Sequence, residues 1–349
     1  MTQSLPTVKI SPDAPGDRNV LADRFGRIFN YLRIAVVERC NLRCIYCMPE
    51  EGIPFTARKE LLSTDELLRV VQAATGLGIR KIRYTGGEPL LHPEIVALVA
   101  GAASQPGIDS VHLTTNGVLL SRLAGELRQA GLSGVNISLD TLREDRFASI
   151  TRRSELAAVL AGLEAARTAG FASIKINVVA LRGFNDDEII DFAEMTRDAD
   201  LTVRFIELMP FDAHQIWKTG TFLRLDVVRQ QLASEYGVLE AADGSATETE
   251  AFRIPGFRGK VALIPAYTRS LCSACNRVRL TADGKLRNCL YGKHEYDLKA
   301  VLRAGGSAED IRDLLREAVG HKARDGWAAQ EEAVASGDRE RVSMTQIGG

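Results

Sequence analysis

The stretch YLRIAVVERCNLRCIYCMPEEG, residues 31–52, runs from an apolar, β-branched segment directly into three cysteines. Cys40, Cys44 and Cys47 follow the pattern C-x3-C-x2-C. A short apolar run of this kind predicts a buried β-strand, so the three thiols are expected at the carboxyl end of that strand. Active sites of β/α barrels assemble at this end of the sheet. The stretch therefore predicts both a strand and a site.

The chain contains six cysteines, and the other three form a second group, Cys272-x2-Cys275-x13-Cys289. Disulfides are not expected, because an unsecreted chain of this size lies in a reducing compartment. One zinc ion at the second group is an alternative, although structural zinc takes four Cys or His ligands and His294 makes no familiar finger spacing. Three thiolates instead suit a [4Fe–4S] cluster with one open iron. The two groups thus suggest two clusters, each with a small-molecule ligand.

The composition describes a globular protein of 349 residues, with 45% apolar and 26% charged residues. Lys and Arg number 44 against 45 Asp and Glu, so the net charge of −1 gives no global field for nucleic acid or an anionic membrane. No apolar stretch reaches the length of a membrane helix, and the first twenty residues lack the apolar middle of a signal peptide. We expect a cytoplasmic protein whose residues 1–20 form a mobile tail.

Six β-branched runs alternate with helical patterns and predict β-then-α units around a parallel sheet. The predicted strands are 31–37, 80–85, 110–115, 134–140, 173–179 and 201–207, and the clearest helices are 64–77 and 119–131. After residue 210 the alternation stops. A helix at 222–236, an acidic loop around 240–250 and a strand at 260–265 are expected there.

Alternation along each predicted strand separates an apolar face from a polar one. Ile174 and Ile176, for example, face away from Lys175. Helices must cover the apolar face, so the polar face lines the interior. A closed eight-stranded barrel fills its interior with apolar side chains, whereas six strands with a polar lining fit an open, three-quarter barrel around a large polar ligand. A doubly wound sheet is the alternative.

Cations on the polar face predict an anionic ligand. Arg33, Arg83 and Lys175 are costly to bury without counter-charge, and a triphosphate offers several oxygens for them. The alternative is internal pairing with Asp140 or Glu207. Arg204 shares this face, and the sequence assigns it no partner.

The cysteine stretch resembles the cluster loop of radical S-adenosylmethionine (SAM) enzymes. The chain from about residue 21 to residue 349 further resembles one family of them, the GTP 3′,8-cyclases (MoaA), which perform the first step of molybdenum cofactor biosynthesis. The resemblance rests on the cysteine stretch, IRYTGGEPLL (82–91), LTTNGVLL (113–120), NISLDTL (136–142), KINVV (175–179), RFIELMP (204–210), CSACNRVRLTADGKLRNCL (272–290) and the terminal Gly-Gly.

The resemblance implies a partial (β/α)6 radical SAM barrel over residues 21–210, open on one side. A C-terminal α+β domain with the second iron–sulfur cluster, residues 211–340, would close it, and a Gly-Gly tail, 341–349, would follow. The implied reaction converts GTP to (8S)-3′,8-cyclo-7,8-dihydroguanosine 5′-triphosphate. A radical derived from SAM removes the C3′ hydrogen, C3′ attacks C8 of guanine, and reduction completes the product. Cyclic pyranopterin monophosphate synthase (MoaC) would then convert it.

The resemblance also implies roles for individual residues. Cys40, Cys44 and Cys47 would hold the first [4Fe–4S] cluster, with SAM on its fourth iron, and Cys272, Cys275 and Cys289 would hold the second, with guanine at its open iron. The implied SAM contacts are Tyr46, Gly87, Ser138 and Met209. The implied GTP contacts are Arg33, Arg83, Thr114, Lys175, Arg277, Val278 and Arg279. Gly348 and Gly349 would reach the active site, and no protein acid or base is assigned.

Two rival functions remain from the sequence. One is another radical SAM enzyme with an auxiliary cluster that acts on a peptide, although such enzymes usually carry more than three C-terminal cysteines. The other is a non-catalytic iron–sulfur sensor or scaffold, which would need no SAM site. An electron donor is an expected partner of the enzyme, and the sequence leaves open a monomer or a homodimer.

Overall fold

The computed structural model describes residues 19–209, 222–244, 250–268, 271–336, 341 and 343–348. Several predicted features lie outside the described residues: most of the tail at 1–20, the boundary between 210 and 211, part of the loop at 240–250, and Gly349. No helix in the described part of the chain has the length and hydrophobicity that crossing a bilayer requires.

The described strands all belong to one sheet. They are β1 Tyr31–Ala35, β2 Lys81–Thr85, β3 Ser110–Thr115, β4 Leu132–Ser138, β5 Ser173–Ala180, β6 Thr202–Glu207, β7 Glu240–Ala241, β8 Glu250–Arg253, β9 Lys260–Ile264, β10 Arg277–Leu280, β11 Lys285–Arg287 and β12 Tyr296–Asp297. The α-helices are α1 Thr64–Thr75, α2 Ile95–Ala103, α3 Leu120–Gln129, α4 Glu144–Thr151, α5 Leu156–Thr168, α6 Ile189–Glu194, α7 Leu225–Tyr236, α8 Leu298–Arg303, α9 Ala308–Gly320 and α10 Gly326–Ser336.

Strands β1 to β6 lie side by side in chain order, every neighbouring pair is parallel, and helices connect them. The sheet order β12-β11-β10-β1-β2-β3-β4-β5-β6-β9-β8-β7 is linear, so the described sheet does not close on itself. The predicted partial (β/α)6 barrel is therefore confirmed.

Local sequence explains where the first helix begins and ends. The Ser63 hydroxyl accepts a hydrogen bond from the Glu66 N–H at 3.2 Å, and the Glu66 carboxylate accepts one from the Ser63 N–H at 2.8 Å. This reciprocal capping satisfies two N–H groups that the first turn leaves open. Gly78, with a positive φ of 80°, then turns the chain toward β2. The predicted helix at 64–77 is confirmed, two residues shorter at its end.

The predicted division of the strands into two faces is also confirmed. In β5, Ile174, Ile176 and Val178 are buried in the main core together with apolar side chains of the helices. Lys175 and Asn177 line a cavity on the other side of the sheet. The core therefore lies between the strands and the helices on one side, which excludes a doubly wound sheet with helices on both faces.

The C-terminal part of the chain joins the barrel sheet instead of forming a sheet of its own. β10 pairs in parallel with β1, so that Arg279 lies beside Arg33. At the opposite edge, β9 pairs in parallel with β6. Both barrel edges are therefore covered by strands that come later in the chain. Local periodicity could not predict the pairing of β1 with β10, because these two strands are more than two hundred residues apart in the sequence.

Candidate functional site

A cavity of about 650 Å³ lies against the polar face of the barrel strands. The cysteine loop after β1, the loop after β2 and the C-terminal segments complete its wall. Most of the predicted site residues line this cavity: the six cysteines, Arg33, Tyr46, Arg83, Gly87, Thr114, Ser138, Lys175, Met209, Arg277 and Arg279. Residues of the N-terminal and C-terminal parts of the chain, including both cysteine groups, thus line the same cavity.

The first cysteine group begins beyond the carboxyl end of β1, as predicted. The Cys40 sulfur accepts hydrogen bonds from the Leu42 N–H at 3.4 Å and from Asn116 Nδ2 at 3.7 Å. Burial raises the pKa of the Cys44 thiol well above its usual value and that of Cys40 to about 11. Buried thiols of this kind become thiolates when a metal supplies the positive charge. Three of them on one loop therefore fit an iron–sulfur cluster.

The two glycines after β2 allow the backbone to lie directly on the cysteine loop. A Cβ on Gly86 would stand 2.3 Å from the Val37 carbonyl oxygen, and one on Gly87 would stand 2.2 Å from the Arg39 carbonyl oxygen. The N–H of Gly87 donates to the Val37 carbonyl at 2.8 Å. A side chain at either position would push the two loops apart, so glycine is required here.

Glu88, the next residue, is fully buried and holds the loop after β3. Its carboxylate accepts hydrogen bonds from the Thr115 hydroxyl and from the Asn116 N–H, both at 2.7 Å. Burial raises the pKa of Glu88 to about 7, although these hydrogen bonds act to lower it. Asn116 in turn donates to the Cys40 sulfur. Glu88 therefore helps to position the first cysteine group through Asn116.

The cationic wall of the cavity, which we define as Arg33, Lys81, Arg83, Lys175, Arg204, Arg277 and Arg279, spans five strands. Pairing places Arg33 between Arg83 on β2 and Arg279 on β10. Burial and the neighbouring charge of Arg279 lower the pKa of Arg33 well below its usual value. Burial and the charge of Arg277 lower the pKa of Arg279 to about 10. Like charges crowded together at low solvent exposure favour binding of a polyanion.

Two of the carboxylates that could neutralise the cationic wall are engaged by other groups. The Asp140 carboxylate accepts hydrogen bonds from the Tyr46 hydroxyl at 2.5 Å and from the Val179 N–H at 2.8 Å. Glu207 accepts from the N–H groups of Tyr267 at 3.0 Å and Thr268 at 2.9 Å. These contacts disfavour the alternative in which the two carboxylates serve mainly as counter-ions.

Arg204, to which the sequence assigned no partner, contacts an amide. Its Nε and Nη2 both donate to the Asn177 side-chain oxygen, at 2.9 and 2.5 Å. Asn177 lies beside it on β5. The pairing fixes the guanidinium on the cavity face without removing its charge.

Tyr31, which the sequence analysis did not single out, lies within the cationic wall. Arg83 Nε donates to the Tyr31 hydroxyl, and Arg83 Nη1 donates to the Leu113 carbonyl at 3.1 Å and to the Thr114 hydroxyl at 3.3 Å. Although burial acts to raise it, the charges of Arg83, Arg33 and Lys81 lower the pKa of Tyr31 to about 7. Tyr31 and Lys81 each precede a predicted arginine by two residues, so strand alternation could have identified both.

The second cysteine group surrounds a short 3-10 turn, Cys272–Ala274. Burial raises the pKa of Cys272. At Cys275 burial also acts upward, but the charges of Lys322 and Arg277 outweigh it and lower the pKa to about 6. A thiol that ionises readily beside cations is a good ligand for a metal. The donor set therefore fits a cluster at this group too.

All six cysteines are free thiols, so the disulfide alternative is wrong. Among the described residues, no group of three or more His, Cys, Asp or Glu side chains could hold a metal ion as they stand. A four-iron cube takes one thiolate at each of three corners, which keeps its ligands farther apart than those of a single ion.

The C-terminal segment, residues 341 and 343–348 as described, lines the cavity with Met344 and Thr345. Arg341 Nη2 donates to Asp283 at 2.9 Å and to Glu295 at 2.8 Å. The Ser343 hydroxyl donates to the Cys47 carbonyl at 2.7 Å. The Gly348 carbonyl accepts a hydrogen bond from Arg279. The tail therefore reaches the site, where it contacts the first cysteine loop at Cys47 and the cationic residue Arg279.

One predicted GTP contact does not face the cavity with its side chain. Val278 is fully buried in the core, because it alternates with Arg277 and Arg279 along β10. Any contact from this position to a ligand in the cavity would come from its backbone.

Comparison with known proteins places the chain among named enzymes. The model of the Radical SAM superfamily matches residues 34–196, and that of Molybdenum Cofactor Synthesis C matches residues 201–326. A GTP 3′,8-cyclase of Chlorobaculum tepidum is 47% identical over 95% of this chain and 97% of its own length. One of Desulforamulus reducens is 42% identical over 94% of this chain and its whole length.

Among solved structures, Streptococcus suis SuiB bound to S-adenosylmethionine matches with a TM-score of 0.56 at 14% identity. The match covers 83% of this chain and 72% of that one. At this identity the similarity shows the fold alone.

Proposed function

We infer from its relatives that this chain, which belongs to the GTP 3′,8-cyclase family of radical SAM enzymes, converts GTP to (8S)-3′,8-cyclo-7,8-dihydroguanosine 5′-triphosphate. This is the first step of molybdenum cofactor biosynthesis. The observation that carries the proposal is the meeting of two cysteine groups and the cationic wall around one cavity. The cysteines suit two clusters, and the cations suit a triphosphate.

A radical SAM protein uses a [4Fe–4S] cluster and SAM. We assign the first cluster to Cys40, Cys44 and Cys47, with SAM at the remaining iron. When bound and reduced, this cluster and SAM would supply the 5′-deoxyadenosyl radical that hydrogen removal from C3′ of GTP requires. The protein positions these groups. Gly86, Gly87, Ser138 and Met209 line the part of the cavity that we assign to SAM. The Asp140 carboxylate accepts a hydrogen bond from the Tyr46 hydroxyl and so orients that ring.

The triphosphate of GTP is assigned to the cationic wall. Arg83 is held at two of its nitrogens by Tyr31 and Thr114, so its guanidinium is already oriented when the ligand arrives. Arg33, Lys175, Arg277 and Arg279 supply further donors on neighbouring strands. Pre-oriented cations reduce the ordering cost of binding. They also favour a triphosphate over a neutral or cationic peptide.

The second cluster is assigned to Cys272, Cys275 and Cys289, with the guanine base at its open iron. Lys322 and Arg277 lie close enough to Cys275 to offset thiolate charge. We further assign an external electron donor, delivery of the product to cyclic pyranopterin monophosphate synthase, a cytoplasmic location, and a monomer or homodimer.

The testing experiment is anaerobic incubation of the reconstituted protein with SAM and a reductant, in parallel with GTP, ATP or no nucleotide. We expect 5′-deoxyadenosine in proportion to an isomeric, cyclised nucleotide with GTP alone, measured by mass spectrometry. SAM cleavage that is equal in all three reactions would retain the radical chemistry and overturn GTP as substrate. The relatives do not favour the peptide-acting alternative, which would be the next one to test.

A further inference from the structure

We propose that Arg27 is a positioning residue for the second cysteine group, which it holds in the shape that a cluster requires. The inference rests on the proposed second cluster. Nothing in the reaction or in the family resemblance assigns a role to this arginine. It lies in the segment Leu21–Asn30, which precedes β1 and which we call the N-terminal strap.

Arg27 ties together two distant parts of the chain. Its Nη1 donates to the Cys272 carbonyl at 2.9 Å and to the Arg324 carbonyl at 2.8 Å, and its Nη2 donates to the Ala323 carbonyl at 2.7 Å. Ala323 and Arg324 lie 296 and 297 residues from Arg27 in sequence. One guanidinium therefore joins the loop of the first cysteine in the group to the segment before α10.

The charge of Arg27 is neutralised locally. Its Nε donates to Asp23 Oδ2 at 2.5 Å, and both side chains are almost fully buried. Asp23 Oδ1 also accepts hydrogen bonds from the N–H groups of Phe25 at 2.9 Å and Arg27 at 3.0 Å. A buried ion pair with this many hydrogen bonds costs free energy to desolvate, and its use is to fix geometry. The geometry fixed here is that of the carbonyls beside the second cysteine group.

The rest of the strap contacts the segments that carry the other two cysteines. The Asn30 side-chain oxygen accepts a hydrogen bond of 2.8 Å from Asn276, the residue after Cys275. The Phe29 ring lies 5.4 Å from Lys322 Nζ, and Lys322 donates to the carbonyl of Asn288, the residue before Cys289. Each of the three cysteines therefore has the strap, or a residue held by the strap, as a neighbour.

The role requires an arginine. A planar guanidinium presents five N–H donors in a fixed arrangement, whereas lysine offers a single charged nitrogen on a flexible stem. Three carbonyls and one carboxylate surround Arg27. Lysine would keep the charge and the pairing with Asp23 but could not reach all three carbonyls together.

The test isolates each cluster in the full-length chain. Serine at Cys40, Cys44 and Cys47 leaves the second group alone, and serine at Cys272, Cys275 and Cys289 leaves the first group alone. Arg27→Gln, Arg27→Lys and the matched control Arg24→Gln are placed in both backgrounds. Arg24 is exposed, three residues earlier in the same strap. Iron per chain after reconstitution, and the rate of iron loss to a chelator, are then measured without any assay of activity.

We expect Arg27→Gln to speed iron loss about tenfold where only the second group remains, which is the usual scale for residues that orient metal ligands. Arg27→Lys should give an intermediate rate. Both variants should retain iron normally where only the first group remains, and Arg24→Gln should be silent in both backgrounds.

Two outcomes would overturn the inference while the proposed function stands. One is normal iron retention by Arg27→Gln at the second group, and the other is equal loss at both groups, which would make Arg27 a general folding residue. A different result marks failure of the proposed function. If the second group binds no iron with Arg27 intact, there is no second cluster, and the inference falls with it.

Discussion

The carbonyl oxygen of Gly348 accepts a hydrogen bond of 2.6 Å from Arg279 Nη1, across 69 residues of sequence. Arg279 is at the same time the neighbour of Arg33 on the adjacent strand. The C-terminal tail thereby contributes a neutral oxygen to the most crowded part of the cationic wall. Through this contact the tail orients the guanidinium of Arg279 before the anion binds.

Replacing Gly348 by alanine should weaken GTP binding. Gly348 has a φ of +70°, and an added Cβ would stand 3.2 Å from the Ala35 Cβ. Strain of about 1–3 kcal/mol is expected, and it should displace the carbonyl from Arg279. We expect kcat/KM for GTP to fall about tenfold or more. Gly256→Ala is the control, because Gly256 has a φ of +82° but no atom within 4 Å of the added Cβ. Unchanged kcat/KM in Gly348→Ala would contradict the prediction.

Replacing Gly87 by alanine should separate the loop after β2 from the cysteine loop. The added Cβ would meet the Arg39 carbonyl oxygen at 2.2 Å, so backbone must move, at a cost of about 1–3 kcal/mol or more. We expect loss of SAM binding by equilibrium dialysis and a lower melting temperature. Gly125→Ala is the matched control, since it lies in α3 with open space around its Cβ. That control should stabilise the protein by about 0.5–1 kcal/mol. Normal SAM affinity in Gly87→Ala would refute the steric argument.

GTP affinity should depend on pH through Tyr31. The pKa of this phenol is lowered to about 7 by the cationic wall, so above that pH it carries a negative charge that opposes a triphosphate. Affinity is therefore greatest below pH 7 and falls as pH rises through that value, by at most about tenfold per pH unit. Tyr31→Phe should remove this decline. Because phosphate groups titrate in a similar range, the quantity to measure is the difference between the two proteins by calorimetry.

The same phenol predicts the opposite trend for stability without ligand. Its folded pKa of about 7 lies below the ordinary tyrosine value of 10.0, so between these values the unfolded chain binds more protons than the folded one. The contribution of Tyr31 to the free energy of unfolding should thus rise from pH 7 toward pH 10, and it should be lost as pH falls through 7. Denaturant unfolding at several pH values measures this slope. An equal slope in Tyr31→Phe would show that Tyr31 is not its source.

Tyr46 and Asp140 should be energetically coupled in SAM binding. The hydroxyl of Tyr46 donates to Asp140 Oδ2, while Oδ1 accepts from the Val179 N–H. Tyr46→Phe removes the donor, and Asp140→Asn keeps an acceptor for Val179 but alters the partner of Tyr46. We expect each single variant to weaken SAM affinity, and the double variant to be no worse than the more severe single one. A coupling energy of about 0.5–3 kcal/mol is typical of contacting residues. Strictly additive losses would argue against the contact.

The sequence was most informative about properties that depend on a single strand, such as which side chains face the core and which face the cavity. Alternation within β5 correctly separated Lys175 from Ile174 and Ile176, because side-chain direction along a strand is a local property. The same rule, extended by two residues, would have included Tyr31 and Lys81. Both residues lie at the start of their predicted strands and were not included among the predicted site residues.

Contacts between distant segments could not be predicted in this way. The alignment of Arg279 beside Arg33 depends on β10 joining the barrel edge, and no local pattern specifies which strands pair. The partnership of Arg27 with Cys272 spans 245 residues. Motif resemblance supplied the cysteines and the glycines, since these are recognised by spacing. It did not supply the residues that hold them, which depend on tertiary geometry.

The contact of the Ser343 hydroxyl with the Cys47 carbonyl spans 296 residues. A ribosome adds about 5–20 residues per second, so roughly 15–60 s pass between synthesis of the first cysteine loop and synthesis of Ser343. During that interval the Cys47 carbonyl lacks its hydrogen bond from Ser343. The order of the gene therefore makes this contact one of the last in the cavity wall to form.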